Sequence, residues 1–268
     1  MKLLRMMAVM FLVVLLVSDK TMMNAQIHTG TYKLVFSDEF NQKNGSQPDS
    51  TKWSRCPRTQ AMWARWISDA KETVFIRNGK LICRAIPNKV APEDTAAMLT
   101  GAIRSKGKFA FQYGKVEVRL RTNLMEGNFP AAWMRPEDDG NPLRYGEIDI
   151  FEAFGADGIA CQTVHSHRSA ILKKEKETSF ANKISINKWH IYGLEWTPTY
   201  ILLTIDGRTV GIYQKSTDET KLSDGQWTFD RPFFIILNQS VGTKMWHTPD
   251  MTKTYETQFD WVRVYLLK

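Results

Sequence analysis

The stretch Gly146-Glu147-Ile148-Asp149-Ile150-Phe151-Glu152 places three carboxylates within six residues and separates them by large apolar side chains. Such apolar residues favour a β-strand, and successive side chains of a strand point to opposite faces. Glu147 and Asp149 therefore share a face, whereas strict alternation would send Glu152 to the other face. One extra residue, a β-bulge, would return Glu152 to the first face. Because buried carboxylates cost stability, we expect this strand to carry a site of chemistry.

Carboxyl groups in this arrangement suit the hydrolysis of a glycosidic bond. Retaining hydrolysis needs two carboxyl groups about 5–5.5 Å apart, one to attack the anomeric carbon and one to protonate the leaving oxygen. Glu147 and Glu152 have the reach for these two tasks. Asp149 lies between them, and its charge would help to raise the pKa of its neighbour. The pattern therefore predicts a glycosidase site at these three residues.

The remaining sequence predicts short strands separated by turns. Strands are predicted at residues 32–36, 74–76, 81–85, 108–111, 115–121, 201–205, 209–213 and 261–267. Asn78-Gly79 and Asp206-Gly207 are favoured hairpin turns. Helical periodicity is nearly absent, and only a weak helical turn is predicted within residues 59–72. The pattern predicts an all-β sandwich or jelly roll, whose curved sheet would offer a concave face to a polymer.

The N-terminus has the pattern of a secretory signal. Lys2 and Arg5 precede an apolar run over residues 6–17, and Ala25 offers a small residue for cleavage. The run is shorter than an ordinary transmembrane helix. We therefore expect residues 1–25 to be a signal peptide and residues 26–268 to form one catalytic domain without a transmembrane segment. The mature protein is predicted to be a secreted or periplasmic monomer.

Charge and cysteine spacing disfavour several other classes of protein. The net charge of +8 is spread along the chain, so the sequence contains no basic stripe for nucleic acid. Cys56 could pair with Cys83 in a secreted protein, although spacing alone leaves this open, and Cys161 is left over. His165 and His167 share a strand face, but a metal site built on them lacks a third ligand. We therefore predict neither a metal nor a cofactor.

The carboxylate strand resembles the active-site signature of glycoside hydrolase family 16 in its bulged form. Further segments resemble parts of that family in the same order, at residues 36–40, 106–119, 128–134, 192–198, 205–207, 233–238 and 261–265. The resemblance implies a concanavalin A-like jelly roll of two curved antiparallel sheets that cleaves internal β-linkages of glucans or galactans by retaining double displacement. By matching position, Glu147 would be the nucleophile, Asp149 its helper and Glu152 the acid/base. Some relatives hold a structural calcium ion, which no ligand cluster in this sequence establishes.

The resemblance leaves the polysaccharide substrate open. Many β-1,3-glucanases of the family carry a Trp where this chain has Phe129, and residues 56–66 lack their Gly- and Asn-rich stretch. The leading hypothesis is an endo-β-1,3(4)-glucanase. The second is an endo-β-galactosidase that acts on marine galactans or host glycans, and a third is a non-catalytic carbohydrate-binding jelly roll. Transglycosylation is a further outcome that the same retaining chemistry allows.

Several residues are predicted to bind the substrate. Trp133 shares strand parity with Phe129 and would stack on a sugar ring from the concave face, with a core position as the competing interpretation. His165 is predicted to donate a hydrogen bond to the substrate or to the acid/base. Loop tryptophans of a sandwich often line its ligand face. The remaining candidates are Trp63, Arg65, Trp66, Trp246 and Asn238.

Overall fold

The computed structural model describes residues 31–138, 140–242 and 248–268, and β-strands dominate these residues. The strands are β1 (Tyr32–Asp38), β2 (Ser54–Arg55), β3 (Val74–Ile76), β4 (Leu81–Pro87), β5 (Met98–Arg104), β6 (Gly114–Thr122), β7 (Asn128–Pro136), β8 (Gly146–Glu152), β9 (Ile159–Ser166), β10 (Thr178–Lys183), β11 (His190–Trp196), β12 (Tyr200–Ile205), β13 (Arg208–Gln214), β14 (Phe233–Val241) and β15 (Tyr255–Leu267). Short helical segments lie between some of them: a 3₁₀ turn (Pro142–Arg144), a π-helical turn (His167–Ile171) and α1 (Glu219–Ser223).

The strands form a continuous antiparallel sheet in the order β10-β9-β8-β7-β14-β5-β4-β15-β6-β11-β12-β13. The sheet folds back between β5 and β4, so its two halves face each other across the core. Phe151 of β8 packs on Tyr192 of β11 with ring centroids 4.5 Å apart, and Phe233 of β14 packs on Trp196 of β11 at 5.2 Å. The predicted all-β sandwich of two curved antiparallel sheets is therefore confirmed, within one compact unit that spans Tyr32–Lys268.

The two predicted hairpin turns are also confirmed. Asn78 and Gly79 join β3 to β4 with φ values of 52° and 67°, and Asp206 and Gly207 join β12 to β13 with φ values of 50° and 75°. A positive φ at both central residues gives the tight turn whose twist matches that of the flanking strands. Asn, Asp and Gly are the residues that most readily adopt this left-handed conformation.

The two outer strands of the folded sheet, β10 and β13, approach each other closely. Phe180 of β10 lies over Gly211 of β13, and a Cβ atom added at Gly211 would stand only 2.3 Å from Cγ of the Phe180 ring. Glycine is therefore required at residue 211, because no side chain would fit beneath the ring. The sandwich is thus nearly closed along this side.

Two local predictions from the sequence do not hold. Residues 106–108 form a turn and residues 109–110 are irregular in place of the predicted strand, because the amides of Lys108 and Phe109 bond back to the carbonyl of Ser105. Residues 59–72 contain isolated turns but no helix, and within them Ile67 forms a single bridge to Thr100. The turns pack as a loop over the outer face of the sheet.

The three cysteines are free thiols, so a bond between Cys56 and Cys83 is not formed. Burial raises the pKa of Cys56 to about 12 and that of Cys161 to about 11, and it raises the pKa of Cys83 as well. All three thiols therefore stay protonated at neutral pH and behave as small apolar groups.

The predicted signal peptide, residues 1–25, lies outside the described residues. Among the helices that the structure describes, none combines the length and the apolar character needed to span a bilayer.

Candidate active site

Strand β8 is bulged between Asp149 and Glu152, as the spacing of its carboxylates predicted. The pairing of β8 with both neighbouring strands shifts register at this point. From Asp149 to Glu152 the chain advances three residues along β8, whereas the paired residues advance only two along β7 and two along β9. Ile150 and Phe151 both turn into the core and are fully buried. The extra residue thereby returns Glu152 to the face that carries Glu147 and Asp149.

The three carboxylates line one pocket, with a volume of about 290 Å³, on the face of the sheet that points away from the core. The pocket walls come from β7, β8, β9, β14 and two loops: Met62, Trp63, Phe129, Ala131, Trp133, Glu147, Asp149, Glu152, Phe154, His165 and Asn238. The fold therefore brings the predicted carboxylates together with the candidate binding residues of three strands and with one of the candidate loop tryptophans.

Glu147 is surrounded by hydrogen-bond donors while its side chain stays 18% exposed. The hydroxyl of Tyr145 donates a hydrogen bond to Oε2 of Glu147 at 2.8 Å, and Nη1 of Arg135 lies 3.7 Å from the same oxygen. The Arg135 guanidinium also stacks on the Tyr145 ring, 4.9 Å from its centroid. Nε2 of His165 lies 3.8 Å from the other oxygen, Oε1. These contacts fix the orientation of a carboxylate that a ligand can still reach.

Asp149 is buried and Glu152 is half-buried, and the side chains of these two acids share a hydrogen bond. Burial, followed by the charge of Glu147, raises the pKa of Asp149 well above its usual value. Burial, followed by the charges of Asp149 and Glu147, likewise raises the pKa of Glu152 well above its usual value. A glutamic acid that keeps its proton near neutral pH can donate that proton, which is the property a general acid needs.

His165 bonds to Asp149, with 3.0 Å between Nε2 and Oδ2. The structure therefore places the imidazole against Asp149 rather than Glu152, and its contact with the substrate stays a prediction. His167 does not share the face of His165, because it begins the π-helical turn and packs against Gly225. The two histidines consequently do not meet at one site.

The described residues do contain one group with the spacing of metal ligands. Donor atoms of Glu147, Asp149 and His165 lie within 4.8 Å of one another. One imidazole nitrogen and two carboxylate oxygens are a set that divalent transition metals accept. The sequence prediction of no metal considered a site built on the two histidines and did not combine His165 with the carboxylates of β8.

Trp133 belongs to the pocket wall but is only 5% exposed, because Trp63 packs edge-on against it with ring centroids 4.9 Å apart. Nε1 of Trp133 donates to Oδ1 of Asn238 at 2.8 Å, and Nδ2 of Asn238 donates to Oγ of Ser240 at 3.0 Å. Oγ of Ser240 in turn donates to the carbonyl oxygen of Trp63 at 2.7 Å. This hydrogen-bond chain anchors the loop tryptophan over the strand tryptophan and occupies the amide of Asn238.

Arg65 and Trp66 are not among the residues that line the carboxylate pocket. The Arg65 guanidinium stacks on the Trp66 ring, 4.1 Å from its centroid, and donates to the carbonyl oxygen of Gly242 at 2.9 Å. The pair therefore ties the loop to the chain just beyond β14, and the neighbouring Trp63 takes the pocket position. Trp246 lies outside the described residues.

Sequence reasoning did not predict Arg135, Tyr145 or Phe154 as parts of the site. Arg135 follows Trp133 by two residues, so strand parity was a signal that both share a face. Tyr145 directly precedes the carboxylate strand. Phe154 follows that strand, and its ring packs beside Phe129 with centroids 5.2 Å apart.

Comparisons with known proteins agree with this architecture. The profile of glycosyl hydrolases family 16 matches residues 68–263. Keratan-sulfate endo-1,4-beta-galactosidase of Sphingobacterium multivorum is 31% identical over 258 residues, and the match covers 93% of this chain but only 59% of that enzyme. SCLam, a non-specific endo-beta-1,3(4)-glucanase, superposes with a TM-score of 0.77 at 25% identity, covering 88% of this chain and 92% of its own.

The third similar protein is an endo-acting O-glycanase. Prominent members of the human gut microbiota express such enzymes to initiate mucin breakdown. It superposes with a TM-score of 0.76 at 28% identity, covering 88% of this chain and 100% of its own. The match of the family profile to most of the chain, together with the bulged carboxylate strand, establishes that this chain belongs to glycosyl hydrolase family 16.

Proposed function

We propose that the chain is an endo-acting β-glycosidase that cleaves with retention of anomeric configuration. Glu147 attacks the anomeric carbon, while Glu152 protonates the leaving oxygen and afterwards deprotonates the attacking water. Asp149 stays hydrogen-bonded between them as the helper. The observation that carries the proposal is the bulge of β8, which gathers the three carboxylates in one pocket.

The surroundings of each carboxylate support these different roles. Glu147 is partly exposed and oriented by the Tyr145 hydroxyl, as a nucleophile must be to meet the sugar at a fixed angle. Glu152 has a raised pKa, which keeps it protonated for the first step. A glutamic acid with a raised pKa beside a second, oriented carboxylate is the arrangement expected of an acid and a nucleophile that work together.

For the substrate we propose an internal β-linkage of a glucan or a galactan. The β-1,3(4)-glucan hypothesis is supported by the similarity to the glucanase SCLam. The β-galactan hypothesis is supported by the similarity to the keratan-sulfate enzyme and by Phe129, which packs on Phe154 where many glucanases of the family carry a Trp.

The experiment measures products released by the purified chain from laminarin, mixed-linkage glucan, agarose, porphyran, carrageenan, keratan sulfate and mucin glycans. Proton NMR of the first products reports the configuration of the new reducing end. Glu147→Gln should abolish release, whereas Glu117→Gln on the outer face of β6, where Glu117 pairs with Lys115, serves as the matched control.

Three outcomes would contradict the proposal. They are an inverted product, full activity in Glu147→Gln, and binding without cleavage of any polymer, which would favour a carbohydrate-binding module.

We also propose that residues 1–25 direct secretion and are then removed. The pattern of a basic start, an apolar run and a small residue supports this. N-terminal sequencing of the protein recovered outside the cytoplasm tests it, and an intact Met1 on exported protein would contradict cleavage.

A further inference from the structure

A second pocket, of about 190 Å³, lies beside the carboxylate pocket and shares Trp63 and Trp133 with it. Its floor is formed by β7, β14 and β5, and Phe234 and Ile236 of β14 form its apolar walls. The two pockets together make one groove across the sheet. The second pocket is therefore a candidate for contact with another unit of a polymer that is bound at the carboxylates.

The second pocket differs from the first in the sign of its charge. The carboxylate pocket is lined by three acidic side chains, whereas the second is lined by Arg104 and Arg135 and, among the described residues, by no Asp or Glu. The groove is thus acidic where the bond would be cut and basic one step away. Two guanidinium groups at this position favour a ligand that carries negative charge.

Arg104 lies at the end of β5, where it pairs in register with Ile236 of β14. Its Nε atom is buried and has no hydrogen-bond partner in the described part of the chain, and the described residues supply no carboxylate ion pair to it. A buried N–H donor without a partner is costly, because it loses hydration and gains no hydrogen bond in exchange.

Arg135 connects the two pockets. Its Nη1 atom points towards Glu147 at 3.7 Å, while its buried Nε atom has no hydrogen-bond partner among the described residues. Arg135 pairs in register with Phe234 of β14, so the two arginines stand on either side of that strand. Each therefore has donor capacity that the protein leaves unused.

Other arginines of this region are already paired. Arg58 donates two hydrogen bonds to Asp94, and Arg55 bonds to Gln47 and Thr73. Both border a neighbouring cavity, which contains Asp69 and Asp94 and shares Arg104 with the second pocket. Among the arginines that line these two cavities, the described structure leaves a buried nitrogen without a hydrogen-bond partner only on Arg104 and Arg135.

We propose that the second pocket binds an anionic substituent, a sulfate ester or a carboxylate, on a sugar unit next to the bond that is cleaved. The planar guanidinium of Arg104 matches the paired oxygens of such a group, and Arg135 adds a second donor. Trp63 stands beside them as an aromatic wall for the sugar ring. The proposal rests on the proposed function and narrows its substrate to anionic glycans.

The experiment uses the Glu147→Gln variant, so that binding is measured without cleavage. Calorimetry compares keratan sulfate oligosaccharides with their chemically desulfated counterparts, and sialylated mucin glycans with the same glycans after sialidase treatment. The anionic member of one pair should bind at least about tenfold more tightly, which corresponds to one charged hydrogen bond. The pair that shows the preference identifies the sulfate or the carboxylate.

Arg104→Gln in the same background should remove that preference, while Arg208→Gln on the exposed edge strand β13, with the same change of charge, should keep it. Arg104→Lys retains the charge but loses the planar guanidinium that donates two parallel hydrogen bonds, so it should reduce the preference severalfold. This second variant tests the proposal if Arg104→Gln does not fold. Equal affinity for both members of each pair, or an undiminished preference in both Arg104 variants, would overturn the proposal. If the wild type cleaves desulfated polymers, the proposed glycosidase function holds even where the preference for anionic glycans is absent. Failure of the anionic-pocket proposal is therefore distinguishable from failure of the proposed function.

Discussion

The hydroxyl of Tyr145 donates a 2.8 Å hydrogen bond to Oε2 of Glu147, two residues further along the chain. Tyr145 lies just outside the carboxylate strand, so its ring and the Glu147 side chain leave the backbone on the same side. The bond holds one oxygen of the proposed nucleophile in a fixed direction. It is a charge-assisted contact, which is stronger than a hydrogen bond between neutral groups.

Replacing this hydroxyl tests the positioning role. Tyr145→Phe should lower kcat by about 10- to 100-fold, the equivalent of one hydrogen bond to a charged group, while KM changes little. The ring that stacks under Arg135 is retained, so thermal stability should stay close to wild type. Tyr265→Phe on β15 is the matched control. A rise in KM at constant kcat would show that Tyr145 binds the sugar and does not orient Glu147.

The pH profile should depend on the charge of Asp149. Burial and then the charges of Asp149 and Glu147 raise the pKa of Glu152, so the basic limb of kcat/KM reports the loss of the Glu152 proton. Asp149→Asn removes one of those charges and should shift that limb to lower pH, in addition to lowering the rate. Asp218→Asn at the N-cap of α1 should leave the profile unchanged, since Asn caps a helix as well as Asp. An unmoved limb in Asp149→Asn would contradict the coupling.

The same raised pKa makes stability depend on pH. Because Glu152 binds its proton more tightly in the folded state, the associated stabilisation is present below the unfolded pKa and is lost as pH rises through the folded pKa. Glu152→Gln has no charge to bury, so its Tm should exceed that of wild type at neutral and higher pH. Each unit of raised pKa corresponds to about 1.4 kcal/mol.

Calorimetric scans between pH 4 and pH 9 measure this difference, which should shrink towards pH 4. The control Glu117→Gln, at a half-buried residue outside the carboxylate pocket, should show no such trend. A Tm of Glu152→Gln that falls below the wild-type Tm at high pH would contradict this prediction.

The hydrogen-bond chain from Trp133 to Trp63 should control the loop of residues 57–66. Ser240→Ala leaves the carbonyl of Trp63 and the amide of Asn238 without their partner, at a cost of about 1–3 kcal/mol. We expect Tm to fall by several degrees and hydrogen exchange to increase in this loop. KM should rise because Trp63 is no longer held in the groove. Ser223→Ala at the exposed helix α1 is the control, and unchanged exchange in the loop would refute the anchor.

The bulge was predictable because it follows from residue spacing within one strand. Asp149 lies two positions after Glu147, whereas Glu152 lies three positions after Asp149. The hairpins at Gly79 and Gly207 were predictable for a similar local reason, since the turn residues themselves require the positive φ. The outcome at each of these places is decided by a few neighbouring residues.

The parts that escaped prediction depend on pairing between distant strands or on irregular loops. Arg104 and Arg135 flank β14 on opposite sides, and no local pattern gives the register of three strands that are far apart in sequence. The choice of Trp63 over Trp66 was equally hidden, because the loop has no periodicity from which to infer a face. Ser240 is recognisable only once the carbonyl of Trp63 is known to lie above it.

The close approach of Phe180 to Gly211 bears on how this protein behaves at high concentration. The rim strands of a sheet expose unpaired amides and carbonyls, and such rims recruit strands from other molecules into aggregates. Here the rims formed by β10 and β13 stand against each other, and the phenyl ring covers the gap that the glycine leaves. A Val in place of Gly211 would push the two rims apart. The absence of a side chain at residue 211 therefore helps to protect these two rims from pairing with another chain.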